Sequence, residues 1–140
     1  MGRIRDFRDL LAWQRAMDLM VVAYPTADEL PVRVRFALGD QIRRSAGSIA
    51  ANIAEGNARG STRDYIRFLT IAIASLRELE THIEACQRLG LVTGRRGREM
   101  VTFATETGRL LSKLRQALSK EPGTEKQDKR RVPPSPVPRP

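Results

Sequence analysis

The chain has 140 residues, a formal net charge of +9, a sequence pI of about 10.9 and a hydrophobic fraction of 41%. This length indicates one domain with enough apolar residues for a core. The one cysteine, Cys86, excludes an intrachain disulfide, and the longest apolar run, residues 19–24, is too short to cross a bilayer. Because Met1–Asp6 lacks the apolar core of a secretion signal, the sequence predicts a cytoplasmic protein with no membrane contact.

The positive charge belongs mainly to the predicted folded part. Residues 1–120 carry 20 Lys and Arg against 13 Asp and Glu, whereas residues 121–140 carry 5 against 3. A basic folded domain attracts polyanions, most often nucleic acid. Because acidic residues are interleaved with the bases, the same charge also fits a merely soluble surface.

Two segments with helical periodicity occupy the first sixty residues. Apolar residues recur at steps of three and four in the first, which predicts a helix that buries Leu10, Trp13, Met17, Met20 and Tyr24. Pro25 and Pro31 bracket a predicted break. The second segment has the same pattern at Leu38, Ile42, Ala46, Ile49 and Ile53. Gly56 and Gly60 are predicted to end this helix.

The third segment, from Tyr65 to Cys86, has the most regular pattern. Its apolar residues alternate steps of four and three, which is typical of shallow-angle bundle packing. Ser61 is the predicted N-cap, Asp64 completes a capping box, and Gly90 is predicted to end the helix. Three more apolar residues widen the buried face: Ile66, Ile71 and Ile73. We therefore expect this helix to be central or to lie at a subunit interface.

The fourth helical segment runs from Met100 to Leu118, after a predicted loop that contains Gly94 and Gly97. No segment alternates with period two, so the sequence predicts no sheet. Short connections favour antiparallel neighbours. The predicted fold is all-α, an antiparallel up-down four-helix bundle over residues 1–120. Five prolines between residues 133 and 140 predict a disordered Pro-rich tail over residues 121–140.

The residue types do not indicate a catalytic or metal site. His82 is the single histidine, and the residue three before it is Leu79, whereas a di-iron bundle needs paired Glu-x-x-His motifs. Glu78 and His82 lie one turn apart, which amounts to a surface pair. Cys86 lies in the apolar stripe, where a buried thiol is the simpler interpretation. We expect a non-enzymatic protein with no cofactor and no metal.

Three arginine clusters are the candidate nucleic-acid-binding residues: Arg43 and Arg44, Arg63 and Arg67, and Arg95, Arg96 and Arg98. The first two clusters fall on predicted helices and the third in the loop before the fourth helix. Such spacing suits contact with successive phosphates. The alternative is a set of solvated faces with arginines paired to Asp40, Asp64 or Glu99. Few aromatic residues are available for stacking, which argues against base reading on a single strand.

Glu55 does not fit an ordinary helix end. A carboxylate in the last turn opposes the helix macrodipole, so Glu55 should have a cationic partner. The candidates are Arg59, one turn further along, and a group from the third helix. We interpret Glu55 as a structural lock rather than a catalytic acid.

Several motifs occur in a specific order: Phe7–Ala16, Gln41–Ala46, Ser48–Gly56, Phe68–Ala72 and Ser75–Thr81. In this order they resemble the 23S ribosomal RNA intervening-sequence proteins, a family of four-helix bundle proteins. The resemblance covers residues 7–118. It marks six residues as parts of structural motifs: Trp13, Gln41, Asn52, Glu55, Gly56 and Glu78. Ala74 departs from the family, which often has glycine there, and its methyl group should limit close helix approach.

The resemblance implies a bundle that assembles into a ring, typically a homopentamer. It also implies a relation to the accessory variability determinant proteins of diversity-generating retroelements, whose basic rings bind nucleic acid and a reverse transcriptase. Two function classes stay open. One is an oligomeric accessory factor that binds RNA or DNA through a basic surface, and the other is a structural protein–protein interaction module. A contiguous arginine face favours the first, and scattered ion pairs favour the second.

Overall fold

The computed structural model describes residues 6–121, in which four long helices form the bundle: α1 (Leu11–Asp28), α2 (Asp40–Ala58), α3 (Thr62–Arg88) and α4 (Gly94–Ser119). Each helix packs against its neighbours in the chain, and α1 also packs against α4, which closes the bundle. These residues contain no strand. The predicted all-α four-helix bundle is confirmed. The predicted Pro-rich tail lies outside the described residues, except for Glu121.

Three short elements complete the fold. A 3-10 turn, Phe7–Asp9, precedes α1. A helical turn, Val32–Val34, and a π-helical turn, Arg35–Gly39, lead directly into α2. None of the helices in this part of the chain has the length and apolar character needed to cross a membrane.

Helix α3 buries the face that its periodicity predicts, from Tyr65 to Cys86. The Ser61 hydroxyl accepts a hydrogen bond from the Asp64 backbone N–H at 3.1 Å, which caps the N-terminus. At the other end Gly90 has a φ of 69°, and the Leu91 N–H reaches back to the Cys86 carbonyl at 2.8 Å. The left-handed conformation of Gly90 and the hydrogen bond from Leu91 to Cys86 end the helix as predicted.

The predicted buried stripe of α1 is only partly confirmed, because Leu10 is buried while most of the other stripe residues pack at the edge of the core. The helix buries a neighbouring line of mostly small residues: Ala12, Ala16, Leu19, Ala23 and Ala27. Of the predicted stripe, Trp13, Met17 and Met20 are half-buried and Tyr24 is 39% exposed. Small side chains allow α1 to approach its neighbours closely, so the large apolar residues flank the contact. The Tyr24 hydroxyl lies 3.1 Å from where a Cβ on Gly47 of α2 would be.

The predicted break between Pro25 and Pro31 is confirmed, since α1 ends at Asp28 and the next helical turn begins at Val32, although α1 continues through Pro25. Proline lacks the N–H that would bond to the carbonyl of Val21, one turn earlier. Both residues lie on the exposed side of α1, and Val21 is 66% exposed. Water can therefore reach that carbonyl, which lowers the cost of the missing bond.

Two glycines predicted to lie at a helix end or in a loop are instead helical and buried: Gly56 in α2 and Gly97 in α4. A Cβ on Gly56 would lie 2.8 Å from the Cβ of Phe68. Glycine at this position therefore serves the close approach of α2 and α3, and α2 ends two residues later. Gly97 belongs to the first turn of α4, where a Cβ would meet Val92 at an ordinary 3.5 Å.

Of the three residues predicted to widen the buried face of α3, Ile66 and Ile73 do so and Ile71 does not. Ile66 and Ile73 are half-buried and pack against the core, because α3 contacts both α2 and α4. Ile71 is 40% exposed. Ala74 is exposed as well, so its methyl group does not oppose helix packing.

Candidate nucleic-acid interface

The three predicted arginine clusters lie at opposite ends of the bundle. Arg43 and Arg44 are in the first turns of α2, and the third cluster is in the first turns of α4 rather than in a loop. Both clusters lie near the end of α1, since Arg43 contacts Asp28 and Arg96 contacts Glu29. Arg63 and Arg67 begin α3, whose 27 residues span about 40 Å. The clusters therefore do not form one continuous surface.

Most of these arginines are already paired with carboxylates. Arg43 donates to Asp28 at 2.7 Å and to Asp40 at 2.5 Å. The hydrogen bond to Asp40 raises the pKa of the Arg43 guanidinium. Arg96 is paired with Glu29. Arg43 connects α2 to the end of α1, and Arg96 connects α4 to it. Both arginines therefore stabilise the bundle.

The remaining clustered arginines divide into two groups. Arg95 pairs with Glu99 at 2.9 Å, Arg67 lies 3.7 Å from Asp64, and Arg44 donates to the Gln41 side chain. Arg63 and Arg98 form no ion pair with another described residue. Of these two, Arg98 is exposed and Arg63 is half-buried.

A contiguous basic surface instead runs along the outer side of α4. Residues at steps of three and four fall on one helix face, and here all seven are exposed: Arg98, Thr102, Thr105, Arg109, Lys113, Gln116 and Lys120. The opposite side of α4 packs into the core through Met100 and Leu111. We call these seven residues the α4 basic face. It extends over about 33 Å, from the first turn of α4 to its C-cap.

The α4 basic face contains no acidic residue. Both carboxylates of α4, Glu99 and Glu106, lie beside it and are occupied by other arginines. Glu106 accepts a hydrogen bond from Arg15 of α1 at 2.9 Å. Within residues 6–121, none of the four bases of the face forms an ion pair. Their charge is therefore available to an external anion.

Sequence reasoning missed three of these four bases, Arg109, Lys113 and Lys120. The predicted clusters contain arginines at most four residues apart, whereas the four bases of the face are spaced by 11, 4 and 7 residues. The helical spacing that revealed the apolar stripes applies equally to charges. The same test on α4 would have placed Arg98, Arg109 and Lys113 on one face.

The residues marked as structural motifs lie at separate points of the bundle. The Trp13 ring meets Phe7 edge-on, with centroids 5.3 Å apart. The Asn52 amide donates to the Ser48 carbonyl at 2.8 Å, and the Ser48 hydroxyl lies 2.9 Å from that of Ser75. This polar contact joins α2 to α3 without any feature of a binding site.

Glu55 has the predicted partner, Arg59, at 3.1 Å. The side chains are 54% and 43% exposed, however, so solvent screens the pair. We expect Glu55→Gln to lower the free energy of unfolding by less than about 1 kcal/mol. Urea unfolding of the two proteins would measure this difference, and a loss above about 2 kcal/mol would mean that Glu55 has a stronger, buried partner.

Among the described residues, no side chains come together in an arrangement suited to catalysis. Cys86 is fully buried, and desolvation raises the pKa of its thiol. Glu78 and His82 form a loose pair at 3.6 Å. Within residues 6–121 no group of three or more metal-ligating side chains comes together. A groove of about 230 Å³ between α3 and α4 is lined partly by Glu80 and Glu84, and both of these pair with arginines.

The family model of the 23S rRNA-intervening sequence protein matches residues 8–113 of this chain. The chain belongs to the 23S rRNA-intervening sequence protein family. The match covers α1 to α3 and most of α4, including Arg98, Arg109 and Lys113 of the basic face. Among curated protein sequences, none matches the chain.

A solved structure supports this family assignment. The chain is similar to a protein of unknown function from the S23 ribosomal protein family of Bacteroides thetaiotaomicron VPI-5482, whose crystal structure was determined at 1.70 Å resolution. The two are 26% identical, with a TM-score of 0.70 over 76% of this chain and 96% of the other. Membership of the 23S rRNA-intervening sequence protein family thus agrees with the bundle fold, while the relative's function is unknown.

Proposed function

We propose that this protein is a non-enzymatic accessory factor that binds nucleic acid through the α4 basic face. The observation that carries the proposal is the row of Arg98, Arg109, Lys113 and Lys120 on one exposed side of α4, to which α4 itself contributes no carboxylate. The ion pairs elsewhere on the bundle occupy most of its other bases, whereas these four cations are free of carboxylates among the described residues. A row of cations on one rigid helix can neutralise several phosphates at once.

The neutral residues of the α4 basic face suit the same ligand. Thr102, Thr105 and Gln116 lie between the bases and present hydroxyl and amide groups. Such side chains hydrogen-bond to phosphate and sugar oxygens, which position a nucleic acid without reading its sequence. Binding should therefore depend on charge and not on base identity.

Fluorescence anisotropy with labelled RNA and DNA across a salt series tests this function. If all four bases contact phosphates, the logarithm of the affinity for duplex DNA should fall with the logarithm of salt concentration with a slope of about −3.6 per chain. Several unrelated sequences should give the same slope. Absence of binding at low salt would reject the proposal and favour the structural interaction module. Binding that does not respond to salt would also contradict it.

Self-assembly is a second proposal, based on apolar surface that the bundle leaves uncovered. On α1, Val21 is 66% exposed and Tyr24 is 39% exposed, beside the half-buried Trp13, Met17 and Met20. We call these five residues the α1 apolar patch. A connected apolar surface of this kind is typical of an interface. The family resemblance favours a homopentameric ring. A reverse transcriptase is a candidate protein partner on the same ground.

Val21→Asp is expected to disrupt this assembly without unfolding the bundle, because the side chain is largely exposed. Light scattering at micromolar concentration should show an oligomer for the unaltered protein and a smaller species for the variant. Leu89→Asp is the control, since Leu89 is 65% exposed at the end of α3, away from the patch. A stable monomer before any substitution would contradict self-assembly. An unchanged mass in Val21→Asp would exclude the α1 apolar patch as the interface.

A further inference from the structure

The spacing of charge on the α4 basic face restricts which nucleic acid it fits. The bases form two groups, with Arg98 at one end and Arg109, Lys113 and Lys120 at the other. Eleven residues separate Arg98 from Arg109, which places their Cα atoms about 16 Å apart on a straight helix. The whole row is about 33 Å long, close to one turn of a nucleic-acid duplex.

The α4 basic face has no aromatic side chain. Proteins that hold single strands combine cationic grooves with aromatic rings on which the bases stack. Phe36 and Tyr24 are the aromatic residues more than a third exposed in residues 6–121, at 73% and 39%. Phe36 precedes α2 and Tyr24 lies on α1, so neither ring interleaves with the bases of α4.

The α4 basic face lies on one rigid helix, so it suits a ligand whose phosphates are already held in a regular arrangement, as in a duplex. A straight row of cations meets phosphates on both strands of a duplex as it crosses a groove, because the backbone geometry is regular. A single strand would have to be held extended along the helix, without any stacking to offset the ordering cost. Building on the proposed function, we infer that the α4 basic face binds the sugar–phosphate backbone of double-stranded nucleic acid in preference to single strands.

The test compares a labelled duplex of about 12 base pairs, roughly one turn, with one of its strands alone, at the same salt concentration. Anisotropy titrations use the full chain and two variants. One carries Arg109→Gln and Lys113→Gln, and the other carries Phe36→Ala. We expect the duplex to bind at least about tenfold more tightly than the strand, beyond the modest difference in counterion release between the two. The double variant should lose most duplex binding, and Phe36→Ala should change neither affinity.

Each other outcome has a separate meaning. Equal or tighter binding of the single strand overturns the duplex inference but leaves nucleic-acid binding intact, and a loss of that binding in Phe36→Ala would place the strand on the Phe36 ring. Duplex binding that survives the double variant overturns the assignment to the α4 basic face. Failure of both probes to bind at low salt overturns the proposed function itself.

Discussion

Gly56→Ala is expected to destabilise the bundle by up to about 2 kcal/mol, the steric cost of overpacking less the helix propensity that alanine gains. The added Cβ would lie 2.8 Å from the Cβ of Phe68 and 3.1 Å from Cδ1 of Tyr65. Neither the Phe68 nor the Tyr65 side chain can move away easily. Tyr65 is buried, and guanidinium groups of Arg59 and Arg67 lie 4.7 and 4.9 Å from the Phe68 ring centroid. The backbones of α2 and α3 must therefore separate.

The matched control for this substitution is Gly97→Ala, also at a buried helical glycine. Its added Cβ would meet Val92 and Gln87 at 3.5 Å, an ordinary contact. Replacement of a helical glycine by alanine then stabilises by about 0.5–1 kcal/mol. Urea unfolding should show changes of opposite sign in the two variants. A Gly56→Ala variant as stable as Gly97→Ala would mean that α2 and α3 do not approach closely at this point.

The second large effect concerns binding. Replacement of Arg98, Arg109, Lys113 and Lys120 by glutamine should leave the fold intact, because all four side chains are exposed and unpaired within the described residues. For four phosphate contacts on duplex DNA, affinity should fall about 150-fold between 50 and 200 mM salt in the unaltered protein. The fourfold variant should lose nearly all of this dependence. An affinity that still falls steeply with salt would place the phosphate contacts elsewhere.

The bundle fold was predictable because apolar periodicity is a local property of each helix. The seam from Tyr65 to Cys86 is the clearest case, since every third or fourth residue there is buried. The face of α1 was not predictable in the same way. Small residues such as Ala16 and Ala23 occupy the closest contact, and only the neighbouring helices decide that alanine is buried while Tyr24 is not.

The roles of individual glycines and arginines depend on tertiary contacts that a sequence pattern does not contain. Gly56 and Gly97 resemble helix breakers, yet one provides room for Phe68 and the other lies inside a first turn. Likewise, Glu29 from the end of α1 neutralises Arg96, far away in sequence, and Arg43 pairs with Asp28 of α1 in addition to its predicted local partner Asp40. The charge that remains on α4 follows helical spacing and could have been found.

The most direct test of the basic-face interpretation compares two variants with the same net charge. One has glutamine at Arg98, Arg109, Lys113 and Lys120. The other has glutamine at four exposed, ion-paired arginines: Arg8, Arg67, Arg77 and Arg88. Salt-dependent anisotropy on one duplex DNA should show a slope about 3.6 smaller in magnitude than that of the unaltered protein for the first variant and a nearly unchanged slope for the second. Equal losses in both variants would contradict the interpretation, since net charge alone would then explain the binding.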